Sequence, residues 1–328
     1  MKSLAAAALL LTLVMGVTAA PRVPERLSET GLDDPRTRPF SPQYPLWSDG
    51  ARKSRWVRLP GGATIDATDV DAWEFPVGTR FWKEFAFNGR KVETRMLWRS
   101  GAGGWTFASY VWNDAQTDAT LAPAEGVPGV VEVAPGKRHS VPSIDDCRAC
   151  HENGRTDVLG FTALQLSTDR DRGAPNAEPL TPDMVTLQTL VDDHAFNPPR
   201  PEFTARPPRI PGDARTRAAL GYLSANCGSC HNEGSALATV RYPLKMTAYA
   251  SPAQVGAAIE ALLARTAKWD IPHAAPGTTR VVTPGAPDLS ALLVRMRSRR
   301  PSSQMPPLGT VLPAREALDL IAGRITGL

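Results

Sequence analysis

Two short motifs contain all the residues of this 328-residue chain that are best suited to bind a cofactor. All four cysteines lie in two Cys-x-x-Cys-His motifs, Cys147–His151 and Cys227–His231. Two thiols three positions apart can form thioethers with the two vinyl groups of one porphyrin, and the adjacent imidazole can then bind its iron. The sequence therefore predicts two covalently bound haem c groups. Their attachment residues would be Cys147, Cys150, Cys227 and Cys230, and their proximal ligands His151 and His231.

Other uses of the same residues are less consistent with the sequence. With 4 Cys and 5 His in the chain, one such pentapeptide arises in roughly 7 × 10⁻⁴ of shuffled chains. A zinc site would need to pool the two Cys-Cys-His sets, because structural zinc takes four ligands. A thioredoxin-like site would need a βαβ context, which the sequence pattern does not indicate.

The region around the second motif also predicts a sixth iron ligand. A helix predicted over Ala214–Ala225 leads into Cys227, and Met305 begins a Met-Pro-Pro-Leu-Gly loop before a last predicted helix, Ala314–Ile325. This order is similar to that of a class I c-type cytochrome. A loop stiffened by proline holds a thioether sulfur at little entropic cost, so we predict Met305 as the ligand. The competitors are Met246 and Met296, and a core role is expected for Met296.

The sixth ligand at the first motif stays open in the sequence. His139 lies eight residues before Cys147 and is the tentative choice. Met184 and His194 are the alternatives, and a five-coordinate iron is the remaining one. His273 lies in a Pro-rich stretch and is expected at the surface.

The elements that must position these motifs begin with a β-rich region. Asn88-Gly89 separates two strand-like runs, and this dipeptide is a strong hairpin signal because both residues tolerate positive φ. Seven of the eight tryptophans lie between residues 47 and 112, where they are expected to fill the core of a small antiparallel sandwich or barrel. The predicted strands are Ser54–Leu59, Trp73–Phe87, Lys91–Arg99 and Trp105–Trp112.

Helical patterns with N-cap residues or first-turn prolines follow from about residue 140. Besides the two helices named above, they cover Asp183–Asp193 and Ala253–Thr266. The predicted fold class is α+β and multi-domain, with an antiparallel β domain followed by two small α-helical cytochrome c-like haem units. The predicted divisions are a signal peptide (1–19), a Pro-rich segment (20–45), the β domain (46–135), and the first (136–210) and second (211–328) haem units.

Composition and the chain start indicate the compartment. Lys2 and the apolar run Leu4–Val17, followed by small residues, are typical of a secretory signal peptide. We therefore expect a periplasmic or otherwise exported protein with no transmembrane anchor after signal removal. A total of 37 basic against 33 acidic residues is too small an excess to indicate nucleic-acid binding.

Several further segments carry a resemblance to a known family. They are Tyr44–Gly50, Trp73–Thr79, Val141–Ser143, Leu159–Phe161, Leu164–Leu166, Asn226, Pro284-Gly285 and Met305–Gly309. With them the chain resembles, over residues 40–328, a family of bacterial dihaem c-type cytochromes with an N-terminal β domain. The resemblance implies haem binding and electron transfer, and it names no substrate.

The leading hypothesis for function is an electron carrier or relay between a donor protein and an acceptor protein. An arginine-rich stretch, residues 295–300, would attract an acidic partner if it lay exposed near a haem edge. The alternatives are a dihaem peroxidase-like enzyme with an open first haem, and a cytochrome subunit of a periplasmic dehydrogenase.

Overall fold

The architecture is described from a computed structural model, which covers residues 22–101, 104–235 and 243–328. The predicted signal peptide lies outside these residues. Ten β-strands lie in the described part of the chain. They are β1 (Arg38–Pro39), β2 (Arg52–Arg58), β3 (Ile65–Asp66), β4 (Arg80–Phe87), β5 (Arg90–Gly101), β6 (Gly104–Trp112), β7 (Ala119–Leu121), β8 (Val127–Ala134), β9 (Lys137–Val141) and β10 (Phe196–Asn197).

Seven α-helices accompany these strands in the described ranges. They are α1 (Ile144–His151), α2 (Leu187–Asp192), α3 (Glu202–Ala205), α4 (Ala214–Asn226), α5 (Pro252–Ala264), α6 (Ala291–Arg297) and α7 (Arg315–Thr326). The patterns that predicted α4, α5 and α7 are confirmed to within about two residues at each end, which is the usual uncertainty of helix boundaries.

An open six-stranded sheet, in the order β1-β2-β4-β5-β6-β7, is the largest element of the fold. All of its neighbours pair antiparallel. The predicted hairpin is confirmed, since β4 and β5 are joined at Asn88 and Gly89, whose φ angles are 50° and 78°. Strands β8 and β9 form a separate antiparallel pair, and β3 pairs in parallel with β10.

The two faces of the large sheet are covered differently. One face buries Trp82, Met96 and Tyr110 beneath the N-terminal segment that contains Leu27. The other face contributes Phe81 and other apolar residues to the largest buried cluster of the described chain. Much of that cluster comes from the segment after the first motif: Val158, Phe161, Ala163, Leu166, Val185, Leu187, Leu190, Ala195, Phe196 and Phe203.

The predicted fold class is therefore wrong. The described part of the chain is largely an antiparallel β-sheet protein, and it does not contain two small all-helical units. The reason lies in residues 136–210, whose helices have only eight, six and four residues. Helices this short have no independent stability, and the apolar residues between them complete the core of the sheet instead of a core of their own.

The C-terminal helices do share a second apolar cluster, to which α4, α6 and α7 all contribute. A segment from the N-terminal region is packed onto it. Trp47 Nε1 donates to the carbonyl of Leu312 at 2.8 Å. Tyr44 lies against α4 at Gly221, where an added Cβ would meet the tyrosine ring at 2.1 Å. Glycine at this position therefore allows the close contact. Through these contacts the N-terminal segment packs against the C-terminal helices.

Among the residues that the structure describes, none of the helices is both long enough and apolar enough to span a bilayer.

Candidate functional site

The first motif occupies the helix α1. Ser143 is its N-cap, with Ser143 Oγ accepting from the amide of Asp146 at 3.0 Å, and the Asp146 carboxylate bonds back to Ser143. This capping box fixes the start of a helix that has no fully buried residue. Cys147 and Cys150, three residues apart, lie within a single helical turn and are half-buried free thiols. Both thiols are therefore held on one ordered turn of the helix.

His151 closes this motif in a form suited to bind a metal. Its Nδ1 lies 2.5 Å from the carbonyl oxygen of Asp157. A carbonyl only accepts, so Nδ1 carries the hydrogen and the lone pair is on Nε2. Burial, together with the smaller effects of the Lys83 and Arg95 charges, lowers the pKa of His151 to about 4. A neutral imidazole whose second nitrogen is held by a carbonyl is the usual state of a metal-ligating histidine.

The second motif begins where α4 ends. The amides of Cys227 and Gly228 both donate to the carbonyl of Leu223, at 2.9 and 3.2 Å, and the amide of His231 donates to that of Cys227 at 2.8 Å. A Cβ at Gly228 would lie 2.4 Å from the carbonyl oxygen of Ser224, so this position requires glycine. Burial lowers the pKa of His231, with a contribution from the charge of Arg295.

The two motifs touch each other. Asn232 Nδ2 donates to the carbonyl of Asn153 at 3.1 Å, across 79 residues of chain. Cys230 Sγ lies 3.9 Å from the carbonyl oxygen of Ala149. Burial raises the pKa of Cys150 to about 11, and the nearby Cys230 adds to this. In the sequence, both motifs are followed by two Asn or Glu residues and a glycine. This repeat indicates a similar local turn at each motif, but it does not predict that the two motifs are in contact.

Met305 lies in a loop that is fixed to the C-terminal end of α6. Its amide donates to the carbonyl of Arg295 at 3.0 Å, and Arg295 Nε donates to the carbonyl of Ser303 at 3.1 Å. The charge of Arg295 also acts on the pKa of His231, so the loop and the second motif border the same guanidinium. Met305 is only partly buried, whereas Met246 and Met296 are buried in apolar clusters. The core role expected for Met296 is confirmed.

His139 is placed quite differently from an iron ligand. Its ring is 2 % exposed, with Nδ1 3.2 Å from Asp49 Oδ2 and Nε2 2.9 Å from Glu93 Oε1. With both nitrogens held by carboxylates, this geometry leaves no lone pair for a metal and argues against the tentative prediction. Burial lowers the pKa of His139, but the hydrogen bonds with Asp49 and Glu93 outweigh it and raise the pKa above its usual value.

Asp49 extends this buried network towards the Met305 loop. Its Oδ1 accepts from the amides of Val311 and Leu312, at 2.7 and 2.8 Å. At the other end of the network, Glu93 Oε1 is 2.5 Å from Arg95 Nη2. No sequence pattern indicates this chain of groups, because its members come from four separate segments.

The other candidate ligands lie apart from one another. Met184 is half-buried before α2, and His194 is exposed after it. His273 is exposed, as expected. Within the described ranges, no group of three or more His, Cys, Asp or Glu side chains is arranged to hold a metal ion, so these residues do not form the pooled zinc site.

Three of the arginines in residues 295–300 have partners within the protein. Arg297 pairs with Asp288, and Arg299 Nη2 donates to the carbonyl of Leu312 at 3.1 Å. Arg295 is bound to Ser303, as described above. The stretch is therefore not a simple row of free cations.

No family model matches the chain, and neither a curated protein nor a solved structure matches it. The resemblance to dihaem c-type cytochromes stays a prediction from the residues named above.

Proposed function

We propose that this chain is an exported electron-transfer protein that holds two covalent haem c groups and relays electrons between a donor and an acceptor protein. The observation that supports it most is that the two Cys-x-x-Cys-His motifs are neighbours: Cys230 Sγ lies 3.9 Å from the carbonyl oxygen of Ala149, and Asn232, just after the second motif, donates to Asn153, just after the first. Two groups attached at touching motifs would be neighbours, which suits transfer from one to the other more than two independent functions.

The residues present fit the group. Cys147 and Cys150 are free thiols one helical turn apart, and so are available for two thioether bonds. His151 offers Nε2, while the carbonyl of Asp157 fixes the ring and its tautomer. When bound, haem c supplies reversible one-electron chemistry at its iron.

The second site would use Cys227, Cys230 and His231, with Met305 as the sixth ligand. Met305 is the one of the three candidate methionines that is not enclosed in an apolar cluster. Its loop is anchored through Arg295, whose charge also reaches His231. A thioether ligand favours ferrous iron, so ligation by Met305 would raise the reduction potential of this haem.

The test is the haem content of the mature protein made in a host competent for cytochrome maturation. We expect two haems per chain, and one haem in each of the double variants Cys147→Ala/Cys150→Ala and Cys227→Ala/Cys230→Ala. A colourless protein, or one with zinc in place of porphyrin, would contradict the proposal.

Replacing Met305 separates the two sites. Met305→Ala is expected to lower one reduction potential and to open one iron to carbon monoxide, and to leave the other haem unchanged. Met296→Leu, which alters a methionine in the buried cluster of α4, α6 and α7, is the control. Two unchanged potentials would remove Met305 from the proposed site.

A further inference from the structure

A row of three basic residues and one serine crosses the sheet face that borders the first motif. Arg55, Lys83, Arg95 and Ser109 lie directly opposite one another on β2, β4, β5 and β6. We call these four residues the cationic row. Like charges at opposed positions of a sheet repel one another and destabilise it. Three cations in one row therefore need a compensating partner.

The neighbouring row on the same face shows how unusual this is. This row lies two residues away along each strand, and all of its side chains are apolar. Three of them pack in or against the largest buried cluster, and the fourth contacts the first motif. They are Val57, Phe81, Leu97 and Phe107. The sheet face thus changes from apolar to cationic within one pleat.

The cationic row has hydrogen-bond donors without acceptors. Arg55 is 5 % exposed, and its Nη1 pairs with Glu178 at 2.7 Å, but its Nη2 is buried with no partner. The hydroxyl of Ser109, 3 % exposed, is also buried with no partner. Lys83 is half-buried, and its Nζ lies 5.0 Å from the centroid of the Phe85 ring and has no hydrogen-bond acceptor among the described residues. A buried donor without an acceptor destabilises the fold, and a charged one does so more strongly.

The charges around the row do not balance. Lys53 lies on the same face, opposite Phe85, and adds a fourth cation. Glu178 pairs with Arg55 and Glu93 pairs with Arg95, at 2.7 and 2.5 Å. In the described part of the chain, Lys53 and Lys83 have no carboxylate within ion-pair distance.

Burial also acts on these two lysines. It lowers the pKa of Lys83 well below its usual value, and nearby Arg55 and Lys53 lower it further. Burial lowers the pKa of Lys53 to about 8. Lys53, which is buried, and Lys83, which is half-buried, thus have no carboxylate partner, and two carboxylates would neutralise their charges.

The cationic row adjoins the first motif. The charge of Lys83 acts on the pKa of both Cys150 and His151, and that of Arg95 acts on Cys147 as well. Phe107, from the neighbouring apolar row, contacts the His151 ring at a centroid distance of 5.4 Å. An anionic group that is attached at this motif would therefore lie beside the cationic row.

We propose that the cationic row, together with Lys53, binds the two propionate carboxylates of the haem attached to Cys147 and Cys150. This inference rests on the proposed function. A carboxylate accepts strong charge-assisted hydrogen bonds from guanidinium and ammonium groups, and from a hydroxyl such as that of Ser109. The two propionates would supply acceptors for the unsatisfied donors and cancel the charge of the two unpaired lysines.

The experiment uses the haem-loaded protein and the variant Lys83→Met, which keeps the side-chain length and removes the charge. A cation near the porphyrin disfavours the ferric form, so its loss lowers the reduction potential of the first haem. We expect the ratio of reduced to oxidised first haem at a fixed potential to fall on the order of tenfold, about 59 mV for a one-electron couple. The propionate bands in the resonance Raman spectrum should shift in the same variant.

Two matched variants control this result. Lys91 is on β5, and it pairs with Glu84 at 3.4 Å and lies over Trp112, away from the cationic row. Lys91→Met should leave both potentials and the Raman bands unchanged. Lys83→Arg keeps the charge and should retain most of the wild-type potential. Ser109→Ala should shift the propionate bands even if Lys83→Met fails to mature.

The possible results separate the two proposals. If both haems attach, and Lys83→Met and Ser109→Ala leave the first haem's potential and Raman bands unchanged, the propionate inference is wrong and the proposed function stands. If inorganic phosphate shifts the potential of the wild type but not of Lys83→Met, the row binds solvent anions, and the inference is also wrong. If no haem attaches, the proposed function itself fails.

Discussion

The two Cys-x-x-Cys-His motifs are alike in sequence and unlike in surroundings. The first lies on α1, an eight-residue helix with no fully buried residue, beside a charged sheet face. The second follows α4, a thirteen-residue helix with nine buried residues, and Cys227 packs against an apolar cluster. A motif thus specifies an attachment chemistry, while the elements around it set the local charge and the rigidity.

The electrostatic difference follows from this placement. The charges of Lys83 and Arg95 both lower the pKa of His151, whereas the charge of Arg295 lowers the pKa of His231. Two haems held at these positions would have different potentials even with identical ligands, because each unit charge nearby changes the relative stability of ferric and ferrous iron.

Removing a core contact of the segment that follows the first motif should have the largest effect. Phe161 is 1 % exposed and contacts the rings of Phe40, Phe75 and Phe81. Phe161→Ala should lower the free energy of unfolding by about 4 kcal/mol through the cavity it leaves. Hydrogen exchange should show lost protection in β4 as well as in the segment around residue 161, because both share one core.

The matched change in the second region is Leu293→Ala, in the apolar cluster of α4, α6 and α7. It should reduce the protection of these helices more than that of β4. If Phe161→Ala left β4 fully protected, the first motif's segment would be independent of the sheet, and our description of the fold would be contradicted.

The buried network at His139 should show a pH-dependent effect of intermediate size. The pKa of His139 is raised in the folded protein, so protonation of the ring stabilises the fold. This contribution is fully present at pH values below the unfolded-state pKa of about 6.5. This contribution is lost as the pH rises through the folded-state pKa. His139→Phe should therefore cost about 2 kcal/mol near pH 6 and less at higher pH, with a slope of up to ~1.4 kcal/mol per pH unit.

Urea unfolding at several pH values measures this difference between variant and wild type. His194→Asn changes an exposed histidine and should show no such difference. A cost for His139→Phe that did not vary with pH would mean that the ring is neutral between Asp49 and Glu93.

The smallest predicted effect comes from removing the N-caps of α1 and α4. Ser143→Ala and Asp213→Ala each remove a side-chain acceptor for a first-turn amide, at 3.0 and 2.8 Å, and each should cost about 1 kcal/mol. The local consequence should differ. Because α1 has no buried residue, Ser143→Ala should greatly accelerate exchange of the Cys147 amide, whereas Asp213→Ala should leave the Cys227 amide protected. Equal acceleration would contradict the difference in rigidity.

Local signals predicted much of the secondary structure. The Asn88-Gly89 turn and the capped helices α4, α5 and α7 depend on short-range backbone preferences, which a single sequence displays. The prediction of a helical first unit was wrong, because the apolar run around Phe161 has no periodicity that reveals its partner. Its partner is a sheet face formed by residues 40–105.

The candidate site likewise has a part that short-range sequence patterns predict and a part that depends on contacts between distant residues. The proposed attachment positions Cys147, Cys150, Cys227 and Cys230 are predicted from spacing alone, since nearby thiols would have to reach one porphyrin. His139, by contrast, is a plausible ligand in the sequence and is held between Asp49 and Glu93 in the structure. A histidine's role depends on which groups reach its two nitrogens, and these groups lie 46 and 90 residues away.

The sequence by itself determined the bonding capacity of this protein: two sets of thiols and imidazoles whose spacing is a local property of the chain. The tertiary structure alone decided that the two sets touch, and that one of them lies near Lys83 and Arg95. The physical reason is that contacts between distant residues depend on strand register and on shared burial, and these are set by the whole fold.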